Sequence, residues 1–154
     1  MLPKQILVPT DLSEGAERAL TYACELARAL GAQIHLLNAV AIPSLGVPEL
    51  GIALTSSVID QLVADNRAAL DRLAQTRCTA EVGQVLVKAG DARNVINQTA
   101  KELGVDLIVM GTHGRRGISR ALLGSVAETV VRSAPCAVLT VRLQDTHDSD
   151  RHAA

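Results

Sequence analysis

Asp106-Leu107-Ile108-Val109-Met110 and the residues that follow it, Gly111-Thr112-His113-Gly114-Arg115-Arg116-Gly117, decide the fold. Four consecutive apolar residues closed by a glycine are too short for a core helix. They read as a strand buried on both faces, the kind found in parallel sheets with helices on each side. The sequence supplies those helices. Upstream, the spacing predicts one over 92–103, with Asp91 as N-cap and Gly104 as its stop. Downstream, it predicts one over 122–133, followed by Pro135 and a fifth strand, Cys136-Ala137-Val138-Leu139-Thr140-Val141.

The same alternation continues toward the N-terminus. Gly83 to Lys88 reads as a third strand, 55–75 as a helix and Gln33 to Val40 as a second strand. Glu14 to Leu30 reads as a helix whose apolar face is Ala16, Ala19, Leu20, Ala23, Leu26, Ala27 and Leu30, stopped by Gly31. Gln5-Ile6-Leu7-Val8-Pro9-Thr10 is the first strand. Five apolar strands separated by amphipathic helices make a βαβ succession, hence an α/β single domain with a doubly wound five-stranded parallel sheet. Right-handed crossovers favour the order 3-2-1-4-5, with helices on both faces, a Rossmann-like arrangement. In that order the chain reverses direction between strands one and four. A crevice opens outside their carboxyl ends, so chemistry is expected just after Pro9 and just after Met110.

This domain occupies 1–142, and the polar tail 143–154 is expected to be disordered. His147, Asp148, Asp150 and His152 in that tail read as solvated rather than metal-binding. A Pro/Gly-punctuated loop over 43–54 is long enough to be a lid or a partner surface.

Composition sets limits on function. The chain has 154 residues, 48% of them hydrophobic, and its one aromatic residue is Tyr22. A domain of this size buries roughly 68–70% of its unfolded surface, so the core must be aliphatic. Base-stacking platforms and aromatic cages need rings that this chain lacks. Fifteen basic residues against sixteen acidic leave a net charge of −1, which does not suit a DNA-binding face. No nucleic-acid partner is therefore expected, and no membrane, because no apolar run reaches the length of a span. The N-terminus enters strand-like sequence without a signal-peptide pattern, and Cys24, Cys78 and Cys136 are odd in number and lie in apolar stretches. Both point to a cytoplasmic protein with buried free thiols, a redox or metal role for the cysteines being the alternative.

The chemistry lies in the loop after the fourth strand. Glycines at Gly111, Gly114 and Gly117 allow close backbone approach, and consecutive amides in such a loop form an anion-binding nest. The start of the next helix, near Leu122 to Ser125, adds free N–H groups and a favourable dipole. Arg115, Arg116 and Arg120 add positive charge to the same spot. All three features suit an anionic ligand. The loop is not a P-loop, since no Gly-Lys-Ser/Thr occurs, and its glycine spacing is not the dinucleotide fingerprint. The plainer alternative is a tight turn with Ser125-x-x-Glu128 as a capping box. At the other lip, Asp11 could accept hydrogen bonds from an amine or hydroxyl; alternatively Asp11 or Ser13 simply caps the next helix. The acidic cluster and lysine of a phosphoacceptor site are missing, so Asp11 is a contact residue rather than a nucleophile.

The spacing Gly111-x2-Gly114-x9-Gly124-Ser125 resembles the ATP-binding signature of the universal stress protein family, an adenine nucleotide alpha hydrolase-like group. The likeness runs from about residue 3 to residue 142. It takes in Ile6-Leu7-Val8-Pro9-Thr10-Asp11, Asp106-Leu107-Ile108-Val109-Met110-Gly111 and Ala134-Pro135-Cys136-Ala137-Val138-Leu139. The resemblance implies an adenine near Pro9, Thr10, Asp11 and Val40, with ribose and phosphates along Met110, Gly111, His113, Gly114, Arg115, Gly124, Ser125 and Val126. It implies ATP or another adenine nucleotide, with Mg2+ held by the phosphates and no protein metal site. It also implies a homodimer through the fifth strand (136–142), where an apolar edge would invite pairing. Asn38-Ala39-Val40 departs from the family's frequent His-Val-Val. His35, inside a strand, reads as structural, whereas His113 could face phosphate.

Three functional classes follow. The first is a nucleotide-dependent binding and regulatory module, favoured because the loop offers donors but no positioned base or fixed metal ligands. The second is a slow ATPase or autophosphorylating enzyme using Ser125, Ser119 or Thr112. The third is a nucleotide-free interaction protein, which the intact glycine signature disfavours.

Overall fold

A computed structural model describes residues 2–41, 56–112 and 124–142. Ile6, Leu7 and Val8 in β1 (Gln5–Pro9) and Leu107 to Met110 in β4 (Leu107–Gly111) are all buried, which is why neither strand has a polar alternation. These two strands are central. They are flanked by β2 (Gln33–Val40) and β3 (Val82–Ala89) on one side and β5 (Ala137–Val141) on the other. The sheet is wholly parallel in the order β3-β2-β1-β4-β5, as the sequence implied. Leu7 sits in register with His35 of β2 and with Ile108 of β4.

Alternate side chains feed two cores. Ile6, Val8, Leu36 and Val109 pack with Leu20, Ala23 and Ala27 of α1 (Glu14–Leu30) and Leu70, Leu73 and Ala74 of α2 (Ser56–Arg77). Leu7, Leu37, Ile108 and Met110 pack on the opposite face with Val95, Ile96 and Ala100 of α3 (Ala92–Leu103) and Ala127 and Val130 of α4 (Ser125–Ser133). The helices stop where the sequence indicates. Gly31 and Gly104 take left-handed conformations, φ 59° and 60°, and return their N–H groups to Ala27 and to Ala100 and Lys101. Asp91 caps α3 by accepting the Arg93 N–H.

Several boundaries move by a residue. β1 ends at Pro9 and not at Thr10, while β5 begins at Ala137 and not at Cys136. β4 runs from Leu107 to Gly111, because the Asp106 carboxylate turns aside to accept the Lys4 and Gln5 N–H groups at 2.8 and 2.9 Å. Those two hydrogen bonds hold the Asp106 carboxyl below the usual carboxylate range and staple the starts of β1 and β4. α4 begins at Ser125, the late end of the expected Leu122 to Ser125 start and three residues after the 122 bound. Its N-cap is Gly124, so Ser125 is already helical and the Ser125-x-x-Glu128 capping box does not form. A capping box needs its serine at the N-cap, and here that position has no side chain. The 43–54 loop and the 143–154 tail lie outside the described residues.

Candidate functional site

The carboxyl ends of β1 and β4 lie side by side at the point where the sheet changes winding direction. Backbone hydrogen bonds fix the β1 lip. The Thr10 N–H donates to the Leu37 carbonyl at 2.8 Å, extending the β1–β2 ladder by one residue. Thr10 Oγ1 accepts the Leu12 N–H at 3.0 Å, and the Thr10 carbonyl accepts Asn38 Nδ2 at 2.8 Å. Between these anchors Leu12 adopts φ 63°, a left-handed conformation that costs a non-glycine residue roughly 1–2 kcal/mol. The Thr10 bond and the packing of Leu12 against the α1–α2 core offset that cost. The strained residue lies at the crevice, where such backbone strain is commonly kept.

Asp11 is held by the start of α1. Its Oδ1 accepts both the Ser13 N–H at 3.1 Å and the Ser13 hydroxyl at 2.5 Å. The Ser13 hydroxyl oxygen in turn accepts the Ala16 N–H at 3.3 Å. Ser13 is therefore the N-cap, and Asp11 supports it from outside the helix. The cap also orients the Asp11 carboxylate at the end of β1.

Val40 is buried at the end of β2, and its carbonyl accepts the Gly90 N–H at 2.9 Å. Asn38, two residues earlier on the same face, is also buried. Its Nδ2 is spent on Thr10, and its Oδ1 finds no partner among the described residues. The sequence marked Asn38 only as a departure from the family pattern; a polar residue inside an apolar strand was the available signal.

On the β4 lip, Met110 is buried, Gly111 is half-buried and Thr112 is buried. The Thr112 N–H donates to the Val141 carbonyl at 3.0 Å, and the Thr112 carbonyl accepts the Gly124 N–H at 2.8 Å. That second bond joins the end of β4 to the start of α4, so the chain leaves and returns at one point. It is a backbone bond and leaves no mark in the sequence. Ser125 and Val126 form the first turn of α4, with Val126 leaning on the second core. The structure thus places Pro9, Thr10, Asp11, Val40, Met110, Gly111, Gly124, Ser125 and Val126 along one carboxyl edge of the sheet. His113, Gly114 and Arg115 lie outside the described residues, as do Arg116, Ser119 and Arg120.

His35 is separate from this edge. Its Nδ1 accepts the Gln84 N–H at 3.0 Å and its Nε2 faces Gln5 Oε1 at 2.5 Å, so the neutral ring with hydrogen on Nε2 satisfies both. Burial pushes its pKa down. The histidine is structural, as its strand position suggested.

The family model described as "Universal stress protein family" matches residues 3–142. Universal stress protein A homolog 2 of Coxiella burnetii is 37% identical over 142 residues, covering 92% of this chain and 96% of that protein. Among solved structures, that of the hypothetical protein MJ0577 superposes with a TM-score of 0.81 at 26% identity, covering 95% of this chain and 100% of that one. A universal stress protein described as a complex with cAMP gives a TM-score of 0.62 at 26% identity, covering 92% of this chain and 98% of that chain.

Proposed function

This chain belongs to the universal stress protein family, and from that premise we propose that it is a cytoplasmic, dimeric regulatory module that binds ATP at the carboxyl edge of β1 and β4. The observation that carries this reading is the Thr112–Gly124 bond, which delivers the end of the glycine loop to an α4 start without a capping side chain. First-turn amides and the helix dipole there favour a phosphate. Asp11, fixed by Ser13, supplies an acceptor for an adenine amino group, and Val40 an aliphatic surface for the ring. A relative described as complexed with cAMP supports an adenine-plus-phosphate ligand. Magnesium, where present, would ride on the phosphates. Dimerisation through β5 is supported by its position at the sheet edge with a half-buried apolar run, Val138 and Leu139.

The roles are distributed in this reading. Glycine-loop and α4 amides bind the phosphates, Asp11 orients the base, and Leu12 and Thr10 hold Asp11 in place. None of the residues assigned here acts as a base toward an attacking water, so the bound nucleotide serves as a signal and not as a substrate.

Equilibrium dialysis with ATP and GTP tests this. The wild-type chain retains ATP in preference to GTP, and Asp11→Ala reduces that preference while keeping phosphate-dependent binding. No ATP retained at millimolar ligand would overturn the reading.

A further inference from the structure

Cys24 and Cys78 are 54 positions apart in sequence, yet their sulfurs lie 2.7 Å apart. The topology explains the meeting. α1 and α2 cover the same face of the sheet, with Cys24 buried in α1 among Leu20, Ala23 and Ala27, and Cys78 directly after the last residue of α2. Beside the two thiols, Arg77 at the end of α2 and Glu17 of α1 form an exposed ion pair at 3.6 Å. Cys24 is 1% exposed, whereas Cys78 is partly open to solvent. A disulfide requires about 2.05 Å between sulfurs, a short further approach for side chains already in contact.

We propose that Cys24 and Cys78 form a peroxide-oxidisable dithiol, which a hydroperoxide converts into an intramolecular disulfide that latches α1 to the α2–β3 junction. Cys78 acts first because solvent reaches it. Its thiolate attacks one peroxide oxygen, the O–O bond breaks, and the other oxygen leaves as an alcohol or water after taking a proton. Cys78 is then a sulfenic acid. The Cys24 sulfur attacks the Cys78 sulfur, the S–O bond breaks, and the hydroxide leaves as water with the Cys24 proton. Two thiols and one hydroperoxide thus give a disulfide, an alcohol and a water, with two electrons passing from sulfur to peroxide. The electrostatics suit this order: the hydrogen bond from Cys24 pulls the Cys78 thiol down to about 7, while that same contact and burial push Cys24 up. Cys136 lies with the opposite core and is pushed up by burial and then by Asp106, so it stays a thiol and serves as an internal control.

The experiment is peroxide treatment of the reduced full chain, followed by intact mass and a non-reducing tryptic map. The expected result is loss of two hydrogens, a drop from three free thiols to one, and a cross-link between peptides 19–28 and 78–88 that dithiothreitol reverses. The melting temperature of the oxidised form rises by on the order of 5–10 °C, reflecting the closed loop. Cys24→Ala leaves a dimedone-reactive sulfenic acid at Cys78, Cys78→Ser abolishes the mass loss, and Cys136→Ser changes neither. Three thiols surviving peroxide, or a cross-link through Cys136 in the wild-type map, would overturn the proposal. Neither result depends on nucleotide binding.

Discussion

Of the helices that start at the carboxyl edge of the sheet, α1 and α4 follow the two switch-point strands, and they are capped in opposite ways. α1 starts at Ser13, φ −85° and ψ 162°, whose side chain accepts the Ala16 N–H and leans on Asp11. α4 starts at Gly124, φ −60° and ψ 148°, with no side-chain cap. The dihedrals are nearly the same, and both lie in the extended region open to any residue. Gly124 is therefore not required by backbone conformation. Serine or aspartate adopts such dihedrals readily and is the stronger N-cap. α1 has a side-chain cap on its first turn, and α4 has none at its N-cap. That difference suits the phosphate proposed for the α4 start.

The most direct way to break this comparison is to make the second start resemble the first. Gly124→Asp puts a capping carboxylate on the α4 amides and a negative charge where the phosphate is proposed to sit. ATP affinity measured by titration calorimetry should fall by roughly tenfold or more, while the melting temperature holds or rises slightly. Weaker binding with higher stability is a combination that general damage does not produce. Unchanged affinity would remove α4 from the site.

The reciprocal change is smaller. Ser13→Ala removes the α1 cap and costs about 1 kcal/mol of stability in chemical denaturation. Asp11 loses one of the two donors on its Oδ1, so ATP affinity should shift less than in Gly124→Asp and its preference over GTP should weaken. If Ser13→Ala lost as much affinity as Gly124→Asp, the two starts would be acting as one phosphate site.

Much of this arrangement was legible because its causes are local. Apolar runs such as Leu107 to Met110 can only be doubly covered strands, and Gly31 and Gly104 stop their helices in the left-handed conformation a glycine allows. The early 122 bound for α4 and its capping box fail for an equally local reason. Leu122 and Leu123 continue the helical periodicity and Ser125-x-x-Glu128 imitates a capping box, so the pattern extends past the true boundary at Gly124. The Thr112–Gly124 bond and the Cys24–Cys78 contact were not legible. One is made by backbone atoms and the other by residues 54 positions apart, so neither has a spacing to read.

The smallest expected effect separates the pH response of the fold from that of the site. Burial holds the His35 pKa below its ordinary 6.5, and the Gln84 N–H aimed at Nδ1 leaves no room for a second proton. Between the lowered folded value and 6.5 the unfolded chain binds more protons, so stability rises with pH across that window. The contribution is complete above 6.5 and is lost on acidification. Asp91, Glu102 and Asp106 act lower, since their folded values are depressed and their contributions disappear only as pH falls below the ordinary carboxylate range near 4. Urea unfolding should therefore show a shallow decline just below pH 6.5, distinct from the acid transition, and His35→Gln should flatten it whatever that substitution does to overall stability. A decline that persisted in His35→Gln would assign the titration to another group. Because His35 sits in mid-sheet and touches neither helix start, this slope should survive Gly124→Asp and Ser13→Ala unchanged.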